Sequence, residues 1–159
     1  MSASPWLDNA TFRGIVDTTP LVSIDLVVRN MHNQILLGKR LNRPAEGFWF
    51  VPGGRIRKNE SLAAAFERLT KNELGTVFSA SRARYIGLFE HFYNDSVFGE
   101  QPDTHYVVNG FELMVSEPLI LPKEQHNEYQ WLYEDELLGS DSVHLHSKWY
   151  FQQDKGFRI

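Results

Sequence analysis

The stretch Gly53-Gly54-Arg55-Ile56-Arg57-Lys58-Asn59-Glu60, continued through Arg68 and Glu73 to Gly75, decides how this chain is read. Two adjacent glycines after Trp49-Phe50-Val51-Pro52 predict a tight backbone turn with exposed carbonyls, and the polar segment behind them predicts the start of a helix. The helix is expected over residues 61–74 and to stop at Gly75, a residue type suited to the left-handed position beyond a helix end. On a wheel of about 100° per residue, Glu73 falls within roughly 40° of Leu62, Phe66 and Leu69. A carboxylate is thus aimed along an apolar stripe, where it must be paired, hydrogen-bonded or bound to a cation.

Working outward, residues 21–29 read as a strand with Val22, Ile24, Leu26 and Val28 on one face and Asp25 on the other. Residues 34–40 return as a second strand, 41–47 form a loop around Pro44 and Gly47, and 48–51 form a short aromatic strand. Beyond the helix, 85–93, 104–115 and 128–133 are strand candidates. The segment 94–103 is a polar loop suited to the rim of a site. Helices are expected over 8–17, 134–138 and 142–153, the last capped by Asp141 or Ser142. Strands interrupted by one helix and closed by another predict an α/β fold with a mixed β-sheet covered on both faces.

The chain has 159 residues, 42% of them hydrophobic and 23% charged, which suits one domain over residues 1–159. A net charge of −4 offers no global attraction to nucleic acid or an anionic membrane, so a phosphate ligand must be met by local cations. Cysteine is absent, which excludes disulfides and thiol chemistry. No stretch has the apolar length of a membrane span, and Asp8, Asn9, Arg13 and Asp17 break up the first twenty residues, so a cytoplasmic location is expected.

Five residues separate Gly54 from Glu60, seven separate Glu60 from Arg68, and Glu73 and Gly75 follow. This spacing resembles the Nudix box of pyrophosphate-cleaving hydrolases, whose helix usually carries glutamates where Leu69 and Asn72 stand here. With that alteration, the surrounding Gly38-Lys39-Arg40, Asn42-Arg43-Pro44-Ala45, Gly47-Phe48-Trp49, His91-Phe92-Tyr93, Thr104-His105-Tyr106 and Glu124-Gln125-His126 look like the GDP-mannose mannosyl hydrolases, over residues 19–150.

The resemblance implies a Nudix α/β/α sandwich and Mg²⁺-dependent hydrolysis of GDP-mannose or another GDP-sugar at the anomeric carbon, with inversion. One Mg²⁺ per site, or Mn²⁺ in its place, is expected on the Gly53 carbonyl, the Glu73 carboxylate and the Gln125 amide oxygen, an oxygen set suited to a hard cation. His126 is implied as the general base, a role its pKa range suits. Arg40, Arg55 and Tyr106 are implied as donors to the diphosphate. Each also has a plainer reading, as a solvated strand end, a helix-start charge and a half-buried strand aromatic.

Asp25 and His91 match sugar-facing positions, although Asp25 could equally be a hydrogen-bonded structural acid. Trp6, Leu7 and Phe12 match apolar positions that contact the base. The 1–18 segment is expected to contact the base in its own or a partner subunit, and because terminal segments that reach a site are often contributed across a dimer, a homodimer is expected. Glu60 reads as structural, paired with Arg68 or backbone amides. Two other functions fit the same motif: ordinary Nudix cleavage of a nucleoside diphosphate derivative at phosphorus, and a non-catalytic nucleotide-sugar sensor. The missing glutamates argue against the first, and retention of Glu73, Gln125 and His126 against the second.

Overall fold

The computed structural model describes residues 7–122 and 126–159, apart from the side chains of residues 126 and 127. Helix α1 (Asn9–Thr18) begins where the Asp8 carboxylate accepts from the Thr11 amide at 2.8 Å. Strands β1 (Leu21–Arg29), β2 (Ile35–Arg40), β3 (Trp49–Phe50) and β4 (Gly53–Arg55) lead into helix α2 (Leu62–Leu74). Strands β5 (Ala83–Tyr93), β6 (Thr104–Met114) and β7 (His126–Leu132) follow, then short helices α3 (Glu134–Gly139) and α4 (Leu145–Lys148) and strand β8 (Phe157–Arg158).

The sheet runs β3-β2-β1-β6-β5-β8, with β4 also on β1 and β7 also on β2. β1 and β6 are parallel and the other named pairs antiparallel, so the sheet is mixed. On one face Ile24, Leu26, Val28, Phe111 and Leu113 pack against Ala65, Phe66 and Leu69 of α2. On the other, Val27, Leu37, Phe89 and Val108 pack against Leu137 of α3, Val143 and Tyr150. The result is an α/β/α sandwich, with β1 apolar on both faces past Asp25. Val22, expected on the buried face, is 45% exposed because the apolar layer under α2 begins at Ile24.

The double glycine is not a turn. Gly53 and Gly54 lie in β4, opposite Asp25 and Ile24 of β1, and neither has a positive φ. What selects glycine is closeness: a Cβ on Gly53 would collide with the Ile24 carbonyl and Asp25 Oδ1, and one on Gly54 would stand 2.5 Å from a Leu69 methyl.

α2 matches its expected span. Ser61 caps its start, accepting from the Ala64 amide, and Gly75 ends it at φ 78°. The C-terminal helix expected over 142–153 is instead a single turn, α4, followed by a 3-10 turn, Trp149–Phe151. The reason is pairing: the Ser142 carbonyl accepts from the Trp49 amide, and the His144 amide donates to the Trp49 carbonyl, so the chain is held extended where the helix should start. β8 was not foreseen, since two residues carry no periodicity.

Candidate active site

A cleft of about 720 Å³, counting the solvent at its mouth, opens where β1, β4 and β6 meet the N-terminal end of the loop after β2. Asp25, Arg40, Gly53, Arg55, Glu73, His91 and Tyr106 all line it. Seven of the residues singled out in the sequence, spread over strands β1, β2, β4, β5 and β6 and helix α2, therefore share one cavity.

Glu73 enters from α2 and is only 4% exposed, while Leu62, predicted beside it on the same stripe, is 45% exposed. The Gly53 amide donates to Glu73 Oε1 at 3.4 Å, so the helix carboxylate is brought against β4. The loop between is fixed by Glu60: Arg68 Nε donates to Glu60 Oε2 at 2.7 Å and Nη2 to Oε1 at 2.9 Å, and the Arg57 amide also donates to Oε1. Hydrogen bonds from Arg68 lead the influences that hold the Glu60 carboxyl below its usual range. Arg68 Nη2 also donates to the Arg55 carbonyl at 2.8 Å, tying the helix to β4 just behind the cleft. Glu60 is thus a structural acid.

The arginines lie over aromatic rings. The Arg40 guanidinium stands 5.5 Å from the Phe50 ring centre and that of Arg55 5.0 Å from the Phe12 ring centre. Phe12 belongs to α1 of the same chain and meets Phe98 edge-on at 5.8 Å, so α1 and the 94–103 loop meet at this side of the cleft. Leu7 is 43% exposed and is not among the residues lining the cleft. Trp6 and Gln125 lie outside the described residues. The backbone of His126 is described and pairs with Arg40 across β2 and β7.

Burial governs the titration of the cleft. It pushes the Asp25 carboxyl up to about 7, partly offset by the hydrogen bond from Tyr150 and the charge of Arg40. It pushes the His91 imidazole down to about 3, with His144 adding to the effect, and raises the Tyr106 phenol. His91 and Tyr106 are therefore neutral at neutral pH. His91 Nε2 is buried without a hydrogen-bond partner.

A cluster of rings packed behind the lining residues Phe50, His91 and Tyr93 escaped the sequence reading. His91 stacks on His146 at 4.3 Å and 11°, His144 stacks on Phe50 at 4.7 Å and 18°, and Tyr93 meets both His144 and His146. Burial lowers His144 to about 4 and His146 to about 2. Tyr150 donates its hydroxyl to Asp25 Oδ2 at 2.5 Å. The pair His144-Leu145-His146 was a visible signal, but nothing in the sequence joined it to His91; Tyr150 carried none.

Glu73 and the carbonyl of Gly53 are oxygen donors and no cysteine is present, a set that fits a hard divalent cation such as Mg²⁺. Among the described residues no cluster of three His, Cys, Asp or Glu is placed to hold a metal, and the expected set contains a single carboxylate.

The family model described as NUDIX domain matches residues 19–153. The chain belongs to the Nudix family. It is 42% identical over 118 residues, 74% of this chain and 73% of the relative, to the low-salt glycan biosynthesis protein Agl8 of Haloferax volcanii. Among solved structures it is similar in fold to a MutT protein from Methanosarcina mazei Go1, with a TM-score of 0.69 at 23% identity over 86% of this chain and 94% of that one. It is also similar to the Nudix domain of Shewanella oneidensis NrtR, a structure complexed with ADP ribose, with a TM-score of 0.63 at 19% identity over 92% and 98%. Membership makes this chain a Nudix-type hydrolase, and Nudix hydrolases generally use divalent metals. No helix among the described residues is long and apolar enough to cross a membrane.

Proposed function

We propose that this Nudix protein hydrolyses GDP-mannose, or a close GDP-sugar, to GDP and the free sugar, with water attacking the anomeric carbon and inverting it. One observation carries the reading: α2 offers the cleft a single acid. Glu73 lines it, whereas Leu69 is core beneath Gly54 and Asn72 faces solvent, at the two positions where a Nudix helix usually adds glutamates. One helix carboxylate suits one divalent ion on a departing diphosphate better than a cluster that activates water at phosphorus. The Haloferax relative's name, a low-salt glycan biosynthesis protein, agrees with a sugar substrate.

In this reading Gly53, Glu73 and Gln125 hold Mg²⁺, which when bound neutralises charge on the diphosphate. Arg40 and Arg55 donate to the same group, and their stacking on Phe50 and Phe12 keeps the guanidiniums oriented before substrate arrives. Tyr106, held as a phenol by burial, adds a neutral donor. Asp25 and His91 hold sugar hydroxyls; the unpartnered Nε2 of a neutral, buried His91 is the kind of group a hydroxyl would satisfy. His126 takes the proton of the attacking water. Trp6, Leu7 and Phe12 face the guanine, the 1–18 segment contributes to a homodimer, and the enzyme works in the cytoplasm as one domain.

The test is product analysis with GDP-mannose in the presence and absence of Mg²⁺. GDP and mannose, formed only with the metal, are expected. GMP with mannose 1-phosphate overturns the reading in favour of pyrophosphate cleavage.

A further inference from the structure

We propose that Tyr150 is a positioning residue for Asp25: its hydroxyl takes one carboxyl oxygen and leaves the other as the single acceptor that meets the sugar. The proposal rests on the GDP-sugar reading for the identity of the ligand, and on geometry for the rest.

Asp25 lies on β1 between two glycines. Its antiparallel partner on β4 is Gly53 and its parallel partner on β6 is Gly110. On the Gly53 side, Oδ1 occupies the space that a Cβ would need. On the Gly110 side, a Cβ would stand 3.0 Å from Cε1 and 3.2 Å from Cδ1 of the Tyr150 ring. Gly110 has no positive φ, so its backbone does not demand glycine. The missing side chain instead opens the slot through which the ring passes on its way to Asp25 Oδ2.

The ring is fixed independently of the hydroxyl. It packs edge-on against Phe89 at 4.6 Å and 70°, and the 3-10 turn that bears it is capped by Arg158 Nη2, which donates to the carbonyls of Trp149 and Gln152 at 2.8 Å and of Tyr150 at 3.2 Å. A carboxyl with Oδ2 engaged by a rigid donor cannot rotate freely, and Oδ1 stays against Gly53 beside the cleft. Burial holds the phenol protonated, so Tyr150 remains a donor throughout the working pH range.

A merely structural bond would support folding without affecting how Asp25 meets the sugar. Tyr150→Phe keeps the ring and removes only the hydroxyl. Its kcat with GDP-mannose should fall about tenfold, the upper end for loss of one hydrogen bond, while inhibition by GDP, which lacks the sugar, stays within about twofold. Asp25→Asn should lose more, and adding Tyr150→Phe to it should cost nothing further, since the tyrosine acts only through the aspartate. Gly110→Ala, which displaces the ring with the hydroxyl intact, should resemble Tyr150→Phe.

Without substrate, the proton NMR spectrum should hold a slowly exchanging downfield hydroxyl resonance that is lost in Tyr150→Phe and shifted in Asp25→Asn. Absence of that resonance, a Tyr150→Phe enzyme with unchanged kcat and only a lower melting temperature, or losses that multiply with Asp25→Asn would each overturn the proposal. A wild-type chain that releases no sugar would sink the functional reading alone, because the resonance is read without substrate.

Discussion

The two walls of the cleft are built by different physics. The β4–α2 wall, from Gly53 to Gly75, places charge through local spacing: a capped helix, a bidentate Arg68–Glu60 pair and one inward carboxylate within about twenty residues. The other wall is built through long-range packing: His91 and Tyr93 of β5 line the cleft, backed by the neutral rings of His144, His146 and Tyr150 from the broken C-terminal helix. In the proposed reading, the first side binds a metal and a diphosphate, and the second meets the uncharged half of a nucleotide sugar. Substitutions should therefore divide by wall, with charge and metal effects on one side and packing and proton linkage on the other.

The largest expected effect is at Glu73. Glu73→Gln removes the one helix carboxylate that lines the cleft among the described residues and should lower activity at least about a hundredfold while weakening Mg²⁺ binding, followed by titration calorimetry. Unchanged metal affinity would break the division at its strongest point. Next come the arginines. Arg55→Lys keeps the charge but loses the paired donors, and steady-state kinetics should show kcat falling about tenfold with KM changing less. An unchanged kcat would reduce Arg55 to a surface charge stacked on Phe12.

The glycines sharpen the contrast within the charged wall. Gly53→Ala sets a Cβ against backbone and should cost about 3 kcal/mol in urea unfolding, whereas Gly54→Ala meets a movable Leu69 side chain and should cost about 1 kcal/mol. Equal costs would mean that β4 shifts as a unit.

The last contrast concerns the buried rings and is read by pH. In the metal-free protein the folded pKa values of His91, His144 and His146 lie below 6.5, so their stability contribution is complete above that pH and is lost as pH falls. Asp25, raised to about 7, works in the opposite sense between its unfolded value and 7. Three imidazoles gain a proton on unfolding at pH 5 and one carboxyl loses one, a net uptake of about two. The unfolding free energy should fall with that slope between pH 6 and 5, and His146→Phe should reduce the uptake by about one proton. A flat profile would mean that these rings are not held neutral by the fold.

The same contrast explains what could be read from the sequence. Ser61, Arg68, Glu73 and Gly75 act within one helix and its flanks, so spacing alone described the β4–α2 wall. The two glycines were seen but misread as a turn, because close approach to Ile24 and Leu69 is a property of neighbouring strands and helices. The long helix expected near the C-terminus was broken by pairing between Trp49 and residues 142–144, nearly a hundred residues away. Tyr150 reaches Asp25 across 125 residues, through a slot that exists only because Gly110 lies beside that aspartate in the sheet. No local pattern encodes such a contact.

The central claim is that water attacks the sugar and not the phosphorus. Hydrolysis of GDP-mannose in ¹⁸O-labelled water, with mass spectrometry of both products and proton NMR of the sugar in the first minutes, tests it most directly. The account predicts label on mannose, unlabelled GDP and the β-anomer as the first sugar formed from the α-linked substrate. Label on a phosphate, or GMP and mannose 1-phosphate among the products, would contradict it.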